Sequence, residues 1–386
     1  MNIIYAAGRI RRFFFNRRRE ILTKPFWVTV FRVVKNRFNY FQRVSKSQFL
    51  QNLSVLEKRP CYLHIELTNL CNANCIFCAY QYQSRPILFI SDAVYTKALD
   101  DYCALGGGDL RLEVVVGDPA VDPNFIRRIE EARKRKEIVN IQTITNLIAL
   151  KTEQISELLN SGITKIQIST GPLRQDLYER IYRNRSYKKV LRNITLLLQQ
   201  NQALGCPVDI KLAFRSNLTM RETLLLDEYK EIAHFPHEVE FNTDFDTWTG
   251  EITSDQLLPG MHIRPLSRLD REPCIWLYES PIVFEDGKLG LCGCRDFNAN
   301  SELIVGNIME SSLHEIWQSE KVRQIRYGFF HGDYPEICSK CSQYVNLDVI
   351  RTSVGTRLAA LTDKRFKETL PDSSCPDAIV KNNQEL

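Results

Sequence analysis

Six strand-like segments alternate with helical stretches between residues 60 and 243, which predicts an α/β fold built on a parallel sheet. Two observations frame that core. A basic, aromatic-rich stretch precedes it, and a cysteine-rich stretch follows it. At 386 residues the chain has room for one large domain or two moderate ones. The predicted organisation is a basic amphipathic helical extension (1–58), an α/β core (59–243), a small cysteine-rich domain (244–350), and a C-terminal helix with a polar, mobile tail (351–386).

The extension comes first. Residues 1–46 hold twelve Lys or Arg and one acid, Glu20, whereas the whole chain carries only +5. Extreme asymmetry of this kind points to an interaction segment. Trp27, Val30, Phe31, Val34, Phe38 and Phe41 recur at helical spacing among those charges. Such a helix suits an anionic membrane surface, an acidic partner, or packing on the main domain with its charges in water. No apolar run approaches the ~20 residues of a spanning helix. Clustered positive charge also binds nucleic acid, but the net-acidic body argues against that partner.

In the core, the strand candidates are 61–68, 111–117, 138–145, 163–169, 207–214 and 237–243. Helical stretches intervene at about 91–105, 122–136, 151–161, 187–203 and 219–234. Gly106-Gly107-Gly108 reads as a loop before the second strand. Residues 244–273 form a connector containing Trp248, Gly250, Pro259 and Pro265.

Twelve cysteines are too many to be incidental. No secretory signal is apparent, so a reducing, cytoplasmic setting is expected, with peripheral membrane contact an option for residues 1–46. Clustered thiols there bind metal or do redox work. Just past the first strand candidate, Cys71-Asn72-Ala73-Asn74-Cys75-Ile76-Phe77-Cys78 supplies three thiols at CxxxCxxC spacing. An iron–sulfur cube has four irons, so three ligands leave one iron open. Structural zinc prefers four ligands in two separated pairs, which this run fits poorly.

With aromatic Phe77 before its third cysteine, the run resembles that of the radical S-adenosylmethionine (SAM) enzyme superfamily. The resemblance implies a partial (β/α)6 TIM-like barrel with its chemistry at the C-terminal strand ends. It implies a [4Fe–4S] cluster on Cys71, Cys75 and Cys78, whose open iron chelates SAM. One electron, from a donor such as a flavodoxin or ferredoxin, then cleaves SAM to a 5′-deoxyadenosyl radical that takes hydrogen from carbon. It also assigns SAM contacts. Val116-Gly117-Asp118-Pro119 matches a Gly-Gly-Glu-Pro-like turn, with Val116 in place of the first glycine and Asp118 in place of glutamate. Phe77, Gly117, Asp118, Asn146, Ser169 and Arg185 are the cofactor-binding candidates on this basis. A plain strand-to-helix turn would account for Gly-Asp-Pro equally.

A second cysteine group comprises Cys274, Cys292, Cys294, Cys338 and Cys341. Asp286-Gly287 between apolar residues predicts a hairpin that brings Cys274 and Cys292 together. A helix near 311–325 would return the pair Cys338 and Cys341. The spacing Cys274-x12-Gly287-x4-Cys292 is similar to the first half of the SPASM extension of radical SAM enzymes. Position 347, where a further cysteine would fall, is Leu, which implies one auxiliary [4Fe–4S] cluster as in the shorter "twitch" version. Its ligands would be Cys274, Cys292, Cys338 and Cys341. Cys294 could replace Cys292, sit unligated, or face substrate. Four-cysteine zinc competes, because tetrahedral thiolate sites suit both metals. Cys61, Cys103 and Cys206 read as core residues, and Cys375 as a tail thiol.

The function that follows is a radical SAM oxidoreductase acting on a small molecule or sugar, in the manner of alcohol oxidation. A maturase of a ribosomal peptide or protein side chain is the alternative. A non-catalytic iron–sulfur scaffold is the alternative of another class.

Overall fold

The computed structural model describes residues 45–269, 272–293 and 295–347. The basic stretch up to residue 44, Cys294, and everything from residue 348, Cys375 included, lie outside the described residues. The end of the extension is helix α1 (Lys46–Lys58), where the Ser45 side chain caps the start by accepting from the Gln48 N–H at 3.2 Å. Leu53 and Leu56 on α1 are buried. The helix therefore packs on the body.

The core follows in the predicted alternation. It runs β1 (Tyr62–Ile65), α2 (Asp92–Ala104), β2 (Gly108–Leu112), α3 (Phe125–Arg133), β3 (Ile138–Thr145), α4 (Gln154–Asn160) and β4 (Lys165–Thr170). Then come α5 (Gln175–Tyr182), α6 (Tyr187–Ala203), β5 (Asp209–Arg215), α7 (Met220–Leu225), α8 (Asp227–Ile232) and β6 (Glu238–Asn242). All neighbours from β1 to β6 pair in parallel, with registers such as Leu63 opposite Leu110 and Ser169 opposite Ala213. Strand interiors such as Leu63, Ile141, Ile166 and Leu212 are buried, as a sheet covered by helices requires.

Several boundaries differ from the sequence reading. The second strand is 108–112, not 111–117. The apolar run Val114-Val115-Val116 looks like a strand but turns away. The Val115 N–H goes to a Glu66 carboxylate oxygen at 2.9 Å. Val115 and Val116 pack with Phe284 and Phe297. Gly108 opens β2 rather than ending a loop. At Gly107, with φ +58, a Cβ would sit 2.3 Å from the Glu137 carbonyl oxygen, so only glycine lets the two chains approach. The 219–234 stretch is two helices broken at Leu226, whose backbone is extended. Helix α5 lies outside the helical stretches expected from sequence.

The connector carries a two-stranded parallel pair, β7 (Asp244–Phe245) and β8 (His262–Ile263). Beyond it lie α9 (Trp276–Glu279), β9 (Ile282–Val283), β10 (Lys288–Gly290), β11 (Ile304–Asn307), α10 (Leu313–Trp317), α11 (Glu320–His331) and α12 (Glu336–Ser339). The predicted hairpin is β9–β10, turning at Asp286-Gly287. The predicted 311–325 helix is α10 and α11, separated by Ser319, which caps α11. Sequence did not reveal that β9 pairs in parallel with β1, placing His64 opposite Ile282. One nine-stranded sheet therefore runs β11-β10-β9-β1-β2-β3-β4-β5-β6.

Buried polar contacts lock the cysteine-rich part to the core. Arg85 bridges Glu66 at 2.7 Å, just past β1, and Glu285 at 2.9 Å, in the hairpin turn. Trp317 is fully buried, and its indole N–H donates to the Leu56 carbonyl of α1 at 3.1 Å. The Arg326 guanidinium covers Trp317 and Tyr278 and donates to the Leu277 carbonyl. Leu347, at the position of the absent cysteine, is fully buried and serves the core. Cys61 is buried as expected, and Cys103 half-buried. Cys206 is not a core residue: it is exposed in the turn before β5, with φ +60.

Candidate active site

The C-terminal ends of β1 to β5 open into one cavity of about 370 Å³. Cys71, Cys75, Phe77, Cys78, Gly117, Asp118, Asn146 and Ser169 all line it. Of the cofactor-binding candidates, Arg185 alone does not. It is exposed before α6, and its neighbour Asn184 instead reaches the cysteine loop, donating to the Asn72 carbonyl at 2.7 Å.

The cysteine loop is held from several sides. The end of α5 accepts its N–H groups, Asn74 to the Tyr182 carbonyl at 3.2 Å and Ile76 to the Ile181 carbonyl at 2.9 Å. The Asn146 side chain donates to the Asn72 side-chain oxygen at 2.8 Å. The Trp248 indole donates to the Phe77 carbonyl at 2.9 Å. The Phe77 ring stacks on Phe245 at 5.0 Å and meets Tyr182 edge-on at 5.8 Å. These contacts fix the backbone so that the three thiols face one space.

The thiol environment suits thiolate ligands. Cys71 and Cys78 sulfurs each accept a backbone N–H two residues on, from Ala73 and Tyr80, at 3.5 Å. Such bonds stabilise sulfur that carries negative charge. Without metal, burial pushes all three thiols up. Asp118 and Cys78 push Cys71 further, and Cys78 and Cys71 push Cys75 further. Cys78 is pushed up to about 11, again by burial. Bound iron supplies the positive charge that makes such sulfurs anionic.

Asp118 fastens two loops and a strand end. Its carboxylate accepts from the Thr145 hydroxyl at 2.8 Å, the Asn146 N–H at 2.7 Å and the Ala120 N–H at 3.0 Å. Its own N–H donates to the Leu70 carbonyl at 2.9 Å, next to Cys71. Burial pushes its carboxyl up to about 6 against the pull of those donors. Gly117, at φ +128, lies where a Cβ would sit 2.9 Å from the Thr68 carbonyl oxygen, so glycine is required for the close approach. The Ser169 hydroxyl lies 3.3 Å from the Tyr182 hydroxyl. At the β1 side, burial and Arg111 hold His64 neutral, with Nε2 at 3.2 Å from the Ser280 hydroxyl.

The distal thiols gather as well. Burial raises the Cys338 thiol, and the charges of Cys274, Cys341 and Glu302 raise it further. Cys341 sulfur accepts the Gln343 N–H at 3.2 Å, repeating the pattern of the first group. Cys292 follows β10, fixed by the Leu291 N–H to the Leu303 carbonyl at 3.0 Å. Among the described residues no three His, Cys, Asp or Glu side chains converge on a single-ion site. The donor set itself, three thiols on one loop and a second group of thiols, is the kind an iron–sulfur cluster takes.

Sequence reasoning missed the rest of the wall. Arg215 ends β5, Asp244, Asp246, Trp248 and Arg264 belong to the connector, and Gly293, Arg295 and Gln343 come from the distal loops. No motif marks them, because they meet only through tertiary structure.

Comparison with known proteins agrees with this architecture. The Radical SAM superfamily model matches residues 65–205, and the SPASM iron–sulfur cluster-binding domain matches residues 274–342. The chain belongs to the radical SAM superfamily of enzymes. Within it, this chain is one that carries a C-terminal SPASM domain, so its cofactors are [4Fe–4S] clusters and SAM. It is similar to the GTP 3′,8-cyclase of Clostridium perfringens, with 29% identity over 144 residues, 36% of this chain and 43% of the cyclase. The matched stretch thus spans less than half of that relative. Solved anSMEcpe with bound AdoMet and Cp18Cys peptide shares the fold, at 14% identity, 81% of this chain, 97% of that chain and a TM-score of 0.50. BtrN in complex with AdoMet and 2-DOIA aligns at 16% identity over 74% of this chain and 93% of that one, with a TM-score of 0.49. Among the described residues no helix is long and apolar enough to cross a membrane.

Proposed function

We propose that the protein is a radical SAM oxidoreductase that oxidises an alcohol carbon of a small molecule or sugar. One observation carries this reading: a single cavity is bounded by the CxxxCxxC thiols and also by Gly293 and Gln343, which directly follow Cys292 and lie two residues past Cys341. Substrate in that cavity would lie beside the first thiol group and against the loops that carry the second. Cys71, Cys75 and Cys78 would hold one cluster, and Cys274, Cys292, Cys338 and Cys341 the other. When bound, these clusters and SAM supply abstraction of a hydrogen atom from carbon and an acceptor for the electron the substrate then gives up.

The chain's own residues orient and shield. Asn146 and the end of α5 fix the cysteine loop, and Trp248 and Phe245 cover it on the connector side. Asp118, Gly117 and Ser169 are the proposed SAM contacts on the strand ends. Asp118→Ala should weaken SAM binding by about tenfold to a hundredfold, the cost of losing a hydrogen bond to a charged group. Equilibrium dialysis of SAM checks this, and unchanged affinity would remove Asp118 from the site.

The oxidase reading is tested with candidate alcohols deuterated at the carbinol carbon. The expected result is deuterium in 5′-deoxyadenosine, with a ketone or aldehyde formed by loss of that hydrogen, one electron and the hydroxyl proton. Label transfer from a peptide side chain instead would make the protein a peptide maturase. A rearranged product with no net oxidation would overturn the oxidoreductase assignment.

A further inference from the structure

One wall of the cavity, built from the end of β5, the connector and a distal loop, holds three guanidinium groups, on Arg215, Arg264 and Arg295, against two carboxylates, Asp244 and Asp246. Two of the three are occupied. Arg295 pairs with Asp246 at 2.8 Å and lies over the Trp248 ring at 4.6 Å. Arg215 reaches Glu240 at 3.7 Å. Asp246 is saturated, since it also accepts from the Trp248 N–H and the Ser342 hydroxyl. Arg264 is different. It is half-buried and lines the cavity, yet among the described residues its guanidinium makes no hydrogen bond and no ion pair within contact distance.

Its backbone is well fixed. Arg264 follows β8, and its N–H donates to the Phe245 carbonyl at 2.8 Å. Phe245 stacks on Phe77 of the cysteine loop, so the position of Arg264 is tied to the first thiol group. Pro265 after it favours extended backbone. A half-buried guanidinium whose donors meet no protein acceptor is free to donate to a group that enters the cavity. The planar fork is the group best suited to a phosphate or carboxylate, which it binds with two parallel hydrogen bonds. Four charged groups act on it, the carboxylates of Asp244 and Asp246 and the guanidinium groups of Arg215 and Arg295.

We propose that Arg264 is the centre of an oxyanion subsite, and that the substrate carries a phosphate or carboxylate group that this subsite holds. The inference rests on reading the cavity as the substrate chamber and adds the substrate's chemical class. It places the anionic group on the connector wall and leaves the reacting carbon toward the cysteine loop.

The test uses full-length, anaerobically reconstituted protein with SAM present, at constant ionic strength. Radiolabelled pyrophosphate and malonate are the probes, read by equilibrium dialysis. One saturable site per chain is expected, weakened at least tenfold in Arg264→Gln and partly kept in Arg264→Lys. Preference for pyrophosphate identifies a phosphate group, and preference for malonate a carboxylate. No saturable binding of either probe, or equal binding by Arg264→Gln, would overturn the subsite. Lowered SAM affinity in Arg264→Gln with anion binding unchanged would overturn it too, assigning Arg264 to SAM. Should Arg264→Gln fail to retain iron, Arg264→Lys decides alone, because it keeps the charge but loses the fork. Dialysis needs no turnover. Anion binding through Arg264 in a protein that forms no 5′-deoxyadenosine would therefore keep the subsite and refute the enzyme reading.

Discussion

Replacing Cys71, Cys75 and Cys78 together with alanine will abolish 5′-deoxyadenosine formation and remove the first cluster's iron, about four atoms, while the distal iron stays. The separation follows from the fold. The first three thiols sit on one loop fixed by α5, Asn146 and Trp248, and the distal thiols sit on other segments of the chain. The core beneath the loop is formed by strand residues such as Leu63, Leu110 and Ile141, which do not depend on the metal. Activity should fall to background, since no other described residue supplies thiols to that side of the cavity. Iron analysis alongside a chromatographic assay for 5′-deoxyadenosine checks both halves. Retention of full iron would mean that the ligands had been wrongly assigned.

Cys274→Ala combined with Cys341→Ala should have the complementary effect. It removes about four irons from the distal site and leaves the first cluster able to cleave SAM. Cys274 and Cys341 both act on the Cys338 thiol, and the Gln343 N–H points at Cys341 sulfur. Losing two of four ligands defeats a cluster, whereas the remaining two thiols can be tolerated as buried, neutral groups. The oxidised product should disappear even where SAM is still cleaved, because Gly293 and Gln343 place the distal loops on the cavity wall. Iron quantitation with product analysis measures this. Loss of both clusters together would show that the distal site is a folding element for the whole chain rather than a separate centre.

How much of this was legible beforehand varies by element. The CxxxCxxC spacing was readable because three ligands on one loop are local in sequence. The third, fourth and sixth strands fell close to their predicted places, since each is bounded by turn residues and apolar on its buried face. The second strand was misplaced because Val114-Val115-Val116 has strand composition but packs under the distal hairpin, against Phe284 and Phe297. That partner lies far away in sequence. Strand β9 was recognised as part of a hairpin, but its pairing with β1 was not, because nothing local marks an edge strand for a remote neighbour. The same holds for Arg215, Arg264 and Arg295. Each is an ordinary arginine in sequence, and only the fold brings β5, the connector and the distal loop to one wall. Asn146 and Ser169, candidates by the family resemblance, line the cavity at strand ends, whereas the turn containing Arg185 presents Asn184 to the cysteine loop instead.

The central claim is that one cavity is served by two clusters and SAM. Its most direct test is anaerobic reconstitution of the full chain with iron and sulfide, followed by SAM and a strong reductant, with iron content and 5′-deoxyadenosine assayed on the same sample. The account predicts about eight irons per chain, two four-iron cubes, and formation of 5′-deoxyadenosine. About four irons, or eight without any 5′-deoxyadenosine, would contradict it.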